Sequence, residues 1–121
     1  PVTITHPLII QEVLKKKGSD VPAIHKQALI DTGASSSVIT PNIADELDLL
    51  HTGYQKAYSV QDEQERPVYY GMIVLPWASA KEIPLMSCPL KGLTQVLLGR
   101  DILMHWHFTY NGADGSITIC D

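Results

Sequence analysis

The strongest constraint on this chain is the stretch Ala28-Leu29-Ile30-Asp31-Thr32-Gly33-Ala34-Ser35-Ser36-Ser37-Val38-Ile39-Thr40. An apolar run leads into one carboxylate. A small Thr-Gly turn follows, and a run of serines precedes a second apolar segment. A strand ending in such a turn places the Asp at the rim of the core, with its side chain facing a cleft. The bare triplet Asp-Thr-Gly arises by chance in about 2–3% of chains of this length, so alone it reads as a turn with an Asx-type bond. A second segment raises its weight: Val96-Leu97-Leu98-Gly99-Arg100-Asp101-Ile102-Leu103 again runs apolar residues into a glycine and a charge pair.

The chain has 121 residues, 45% hydrophobic and 18% charged. That suits one globular domain over residues 1–121 and excludes a disordered chain. A formal net charge of −4 argues against nucleic acid as a partner, because phosphate binding needs clustered Lys and Arg. The one basic cluster, Lys15-Lys16-Lys17, runs into Gly18-Ser19-Asp20 and reads as a solvated hairpin tip. No run of 18 apolar residues exists, and the start lacks the basic and apolar segments of a signal peptide. The expectation is a soluble protein without a membrane partner, cytoplasmic or released from a larger precursor. A start at Pro1 suits an excised domain and equally a trimmed chain. Cys88 and Cys120 are far apart and unpatterned, which favours two small buried hydrophobes over a disulfide or a metal pair.

The pattern along the chain is mostly β. Val2 to Thr5 and Leu8 to Ile10 read as one first strand reaching about Leu14, with a turn at Lys17-Gly18-Ser19-Asp20. Ala23 to Ile30 reads as the returning strand that delivers Asp31, and Ser37 to Ile39 as another short strand. Thr40-Pro41 marks a helix start, with Ile43, Ala44, Leu47 and Leu50 on one face and an end near Leu49. Tyr54 to Val60 and Val68 to Leu75 read as the arms of a projecting hairpin whose tip is the polar run Gln61 to Arg66. Ile83 to Met86 and Thr94 to Leu98 are further strands. Arg100 to Trp106 makes a short helix, and Phe108 to Tyr110 pairs with Ser116 to Ile119 as a terminal hairpin.

Together, the segments at 28–40 and 96–103 resemble the two signatures of retropepsin-like aspartic proteases: the Asp-Thr-Gly-Ala loop and the apolar-apolar-Gly-Arg motif. The resemblance implies an all-β, closed barrel-like acid-protease fold with one or two short helices. It implies Asp31 as the catalytic carboxylate, with Thr32 and Gly33 as the active-site loop. Ala34 and Ser35, with Gln61, Asp62, Glu63 and Gln64 of the flap, take the substrate-binding positions. Leu98, Gly99 and Arg100 form the structural second motif, crossing behind the loop. Neither metal nor cofactor is implied. Two-lobed pepsins carry both Asp-Thr-Gly loops in one chain. Here the loop occurs once, so the implied enzyme is a homodimer acting on a polypeptide in extended conformation. Val2–Thr5 and Ser116–Cys120, read as strands with free edges, are the expected inter-subunit sheet.

Peptide hydrolysis by paired carboxylates needs two Asp side chains sharing one water and one proton. The unprotonated carboxylate takes a proton from the water, and the protonated one hydrogen-bonds the scissile carbonyl. Two departures from the family pattern stand out. Some viral relatives carry an acid after Asp-Thr-Gly-Ala that pairs with the Arg; here Ser35 stands there, so Arg100 has no assigned partner. The flap of many relatives is glycine-rich, whereas Gln61 to Arg66 holds no glycine and four charges. Gly71 does match a glycine found after the flap. The alternative function is therefore a catalytically silent dimerisation or peptide-binding module. His105-Trp106-His107 lacks a third ligand at metal spacing. Trp77 and Trp106 read as packing residues, and Ser35-Ser36-Ser37 lacks the nucleophile-elbow pattern of a serine hydrolase.

Overall fold

The computed structural model of the chain describes residues 2–58, 63–76 and 78–120, with the side chains of 57, 58, 63, 78, 79 and 120 left aside. Among them lie β1 (Val2–Thr5), α1 (Leu8–Lys16), β2 (Ala23–Lys26), β3 (Ala28–Ile30), β4 (Val38–Ile39), α2 (Pro41–Leu47) and β5 (Leu50–Tyr58). There follow β6 (Glu63–Leu75), β7 (Ala78–Ser87), β8 (Val96–Leu98), α3 (Arg100–Leu103), β9 (His107–Asn111) and β10 (Ser116–Cys120). The main sheet runs in the order β2-β1-β6-β7-β4-β8-β3, with β5 also paired to β6. It rolls into a nearly closed barrel, as expected for an all-β retropepsin-like fold.

The core inside the roll is aliphatic. Ile4, Ile39, Ile43, Leu47, Ile73, Leu85, Leu98 and Ile102 are all but inaccessible. They come from the sheet and from α2 and α3, so burial of branched side chains is what holds these two helices against the strands. α2 follows the helix signals closely. Pro41 stands at its first turn, and Ile43, Ala44 and Leu47 are its buried face. It stops at Leu47 because Asp48 turns left-handed (φ 50°), a conformation that Asp tolerates better than most side chains. Leu50, expected on that helix face, instead opens β5 and is exposed.

Three expectations are corrected. Residues 8–14 do not continue the first strand; they form α1. Ile9 and Val13, like Ile10 and Leu14, are four residues apart, which is helical spacing. Pro7 precedes the helix, and its carbonyl accepts from the N–H groups of Ile10 and Gln11 at 3.0 Å. The Leu8 N–H is capped from outside by the Glu82 carboxylate at 2.7 Å. The β-branched run that suggested a strand is thus overridden by the tertiary cap and the spacing. Lys15 and Lys16 close this helix and Lys17 caps it, so the basic cluster sits at the negative end of a helix and not at a hairpin tip. The barrel therefore carries three short helices among its described residues, one more than expected.

The stretch 23–30 is two strands. Ala23–Lys26 pairs with β1 and Ala28–Ile30 with β8, so the chain changes partner at Gln27. The third correction concerns β1, which is paired on both sides, with β2 and with β6. It has no free edge to offer a partner chain. The terminal hairpin is different: β9 and β10 form a separate two-stranded sheet whose outer edges are unpaired among the described residues. In its turn the Ser116 N–H donates to Asp114 at 2.9 Å. That bond holds the fully exposed Asp114 carboxyl below its usual value. Its contribution is present above the unfolded-state value and is lost as pH falls through the lowered folded value, so this turn loosens only in acid.

β5 and β6 form a long antiparallel hairpin, paired from Leu50↔Tyr70 to Tyr58↔Glu63 with a bulge between His51 and Gly53. Its arms begin earlier and run longer than expected, so that residues 63–66 of the expected tip belong to β6; residues 59–62 lie outside the described residues. None of the described helices is long and apolar enough to cross a membrane.

Burial separates two isoleucines sharply. Ile73 is inaccessible, and Ile9 on α1 is 69% exposed. Ile73→Ala is expected to cost about 2–5 kcal/mol and Ile9→Ala less than about 0.5 kcal/mol, measured as the shift in urea-unfolding free energy.

Candidate active site

β3 and β4 lie on opposite sides of β8. β3 runs parallel to it, with Ile30 beside Leu98; β4 runs antiparallel, with Val38 beside Leu97. The segment 31–37 that joins them must therefore cross over the end of β8. Asp31 opens this crossing and is half-buried. Its N–H donates to the Leu98 carbonyl at 2.9 Å. Its Oδ1 accepts the Gly33 N–H at 2.9 Å, and the Ala34 N–H donates to its carbonyl at 3.2 Å. A backbone donor aimed at a carboxylate fixes the carboxylate's orientation. A Cβ on Gly33 would lie 3.2 Å from that same oxygen, so the small residue keeps the approach open.

Residues 98–101 grip the crossing along its length. Gly99 passes so close beneath it that a Cβ would stand 2.6 Å from the carbonyl carbon and oxygen of Ser36 and 3.0 Å from the Ala34 oxygen. The Arg100 N–H donates to the Ala34 carbonyl at 2.8 Å, and its Nη1 donates to the Thr32 carbonyl at 3.0 Å. The partner of Arg100 is thus a backbone oxygen of the loop itself. Asp101 accepts the Ser37 N–H at 3.0 Å and the Ser37 hydroxyl at 2.7 Å. The Ser37 Oγ in turn accepts the Gly99 N–H at 3.1 Å.

A cleft of about 290 Å³ opens beside the loop. Gly33, Ala34, Ser35 and Ser36 line one part of it, Gln55 and Lys56 of β5 another, and Val38, Met86, Cys88 and Leu90 the rest. The Gln55 amide donates to the Ser36 hydroxyl at 3.1 Å, so an arm of the β5–β6 hairpin reaches the loop that follows Asp31. Complete small-molecule sites run to about 300–1,000 Å³; one chain presents a cleft at the bottom of that range. A second hollow, of about 270 Å³, lies among Gln27, Ala28, Leu29, Leu93 and Thr94. Leu29 and Asp31 alternate by two along the strand and share a face. Leu29 is 52% exposed and Leu93 fully so, leaving apolar surface in contact with solvent beside the strand that leads into Asp31.

The residues singled out from the sequence fall as follows. Asp31, Thr32, Gly33, Ala34 and Ser35 sit together on the crossing, and Leu98, Gly99 and Arg100 lie directly beneath it. Gln61 and Asp62 fall outside the described residues. Glu63 pairs with Tyr58 at the far end of the hairpin, and Gln64 is exposed beside Ala57. Sequence reasoning missed Ser37 and Asp101, whose bond spans 64 positions; the available signal was a carboxylate placed right after Gly-Arg with no other partner in sequence. It also missed the cleft wall. Cys88, expected to be a buried hydrophobe, is a free thiol, half-buried in that wall. Trp106 is buried in the core as expected, between exposed His105 and His107.

The family model described as gag-polyprotein putative aspartyl protease matches residues 23–105. This span holds the crossing, the hairpin and the gripping segment. The chain belongs to this aspartyl protease family. β1, α1 and the terminal hairpin lie outside the matched span. No curated protein matches the chain.

Because every atom facing the missing Cβ of Gly99 is backbone, the family's Gly-Arg step cannot accept even one carbon without moving the loop. Gly99→Ala is expected to lower stability by about 1–3 kcal/mol, read by thermal or urea unfolding, and to shift the amide resonances of Ala34 and Arg100.

Proposed function

We propose that this chain is an aspartic endopeptidase that hydrolyses extended polypeptides as a homodimer, with Asp31 of each protomer acting on one shared water. The observation that carries the reading is the half-buried Asp31 carboxylate, oriented by the Gly33 N–H at the head of a loop whose next residues line a cleft. A pair of such carboxylates cannot both ionise comfortably at close range, so one holds a proton. The ionised member takes a proton from the water, whose oxygen attacks the scissile carbonyl carbon. The protonated member donates to the carbonyl oxygen. Collapse of the tetrahedral intermediate expels the amine, which carries away a proton.

Three features support a dimer. One chain supplies one Asp-Thr-Gly. Its cleft is at the lower limit for a complete site. Among the described residues the terminal hairpin keeps unpaired edges and exposes Tyr110 and Ile117, the kind of apolar edge that a second copy covers. Extended polypeptide suits a cleft walled by the loop after Asp31 and by the arm of a hairpin, since the side chains of an extended strand alternate between a wall and its opposite side.

Cleavage of a mixed peptide library by the purified chain tests the proposal. Asp31→Asn is expected to reduce turnover by about 10²–10⁴-fold or more with the unfolding midpoint little changed. EDTA leaves turnover intact and a statine-type transition-state mimic abolishes it. Activity follows a bell-shaped pH profile whose two limbs belong to the pair of carboxylates. Peptide binding without Asp31-dependent cleavage would make the chain a silent binding module.

The dimer is tested separately. Sedimentation across protein concentrations is expected to show a monomer–dimer equilibrium, with specific activity rising in step with the dimer fraction. A charge at the exposed edge, Ile117→Lys, shifts that equilibrium toward monomer. A chain fully active as a monomer would overturn the two-protomer site.

A further inference from the structure

The bonds that hold the loop are not equivalent. Those from Arg100 Nη1 reach a backbone carbonyl in an exposed setting, where water competes on equal terms. At the far end of the crossing the setting is different. Ser37 is inaccessible to solvent, and its backbone N–H and its hydroxyl both end on the carboxylate of Asp101. The direction of this network is forced. The Gly99 N–H can only donate, so Ser37 Oγ accepts from it and the single hydroxyl proton must go to Asp101 Oδ1. The other oxygen, Oδ2, takes the Ser37 N–H. The carboxylate presents an acceptor oxygen to each of the two donors of Ser37; an amide would turn a donor toward one of them.

We propose that Asp101 is a positioning residue for Asp31, acting through Ser37. The crossing is fixed at one end by Asp31 N–H on Leu98 and at the other by Ser37 on Asp101. Between them Gly99 leaves no slack, since even a Cβ would collide with Ser36 and Ala34. A shift of Ser37 is therefore passed along the segment to Gly33, whose N–H orients the Asp31 carboxylate. A reacting group displaced by a fraction of an ångström loses rate without losing substrate. This role rests on the aspartic-endopeptidase reading for its kinetic consequence, but the geometric link stands independently of it.

Asp101→Asn and Ser37→Ala test the link in the full-length chain, with Ser37→Thr as the variant that keeps the hydroxyl. Two measurements are made. One is turnover per site titrated with a statine-type inhibitor. The other is the Gly33 amide proton shift and the hydrogen exchange of the Arg100 amide by NMR, with the Ile73 amide as a core reference. In Asp101→Asn and Ser37→Ala, kcat per titrated site falls about 10–100-fold while KM changes less than about threefold. The Gly33 resonance moves, and Arg100 exchanges at least about tenfold faster while Ile73 keeps its protection. Ser37→Thr stays close to the parent protein in both. An unmoved Gly33 resonance with unchanged Arg100 exchange overturns the proposal. So does a rise in exchange that is equal at Arg100 and Ile73, which marks general destabilisation. A parent chain without Asp31-dependent turnover would sink the endopeptidase reading alone, and the NMR comparison would still decide the role of Asp101.

Discussion

Everything around the carboxylate depends on how closely one piece of backbone passes beneath another. At Gly99 the chain runs under the crossing of residues 31–37 with less than a carbon's width to spare. The contact is possible because β8 is flanked by β3 on one side and β4 on the other, so the loop joining those two strands has nowhere to go but over it. Burial of Leu98 before Gly99 and of Ile102 after it presses the segment into the core from both sides. Close approach here is therefore a product of hydrophobic burial and strand order, with the glycine as the condition that lets both be satisfied.

Much of this was legible in the sequence because it is local. An apolar strand, an Asp, a Thr-Gly turn and small residues are contiguous, and so is Leu-Leu-Gly-Arg. Each motif states its own backbone requirement. What joins them is not local. The oxygen that Arg100 finds belongs to the backbone of Thr32, and a carbonyl leaves no mark in a sequence. The grip of Asp101 on Ser37 was hidden for a related reason: a serine among three neighbouring serines has nothing to distinguish the buried one from Ser35, which is exposed.

The errors have physical causes of the same kind. Residues 8–14 are rich in isoleucine and leucine, which satisfy a strand and a helix alike. The balance was tipped by Glu82, a residue of β7 that caps the first N–H of α1. β1 looked like an edge because it begins the chain, yet β2 and β6 cover both its sides. Position along a chain says little about position in a sheet. α2, by contrast, carries its start signal, its buried face and its stop within a few residues, and it folds where those residues say.

The distances along the chain have a consequence for how the site comes into being. The bonds that tie the crossing to its support span 62 to 68 positions. Within the crossing itself, only the bonds of Gly33 and Ala34 to Asp31 are short-range. The entropy of closing so long a loop is met only when the hairpin and β7, which lie in between, have already brought the two ends together. Asp31 is thus translated early and organised late. Until residues 98–101 have been made and have docked, the Asp-Thr-Gly turn has only its own short-range bonds to hold the Asp31 carboxylate, and a growing or half-folded chain carries that carboxylate without its support.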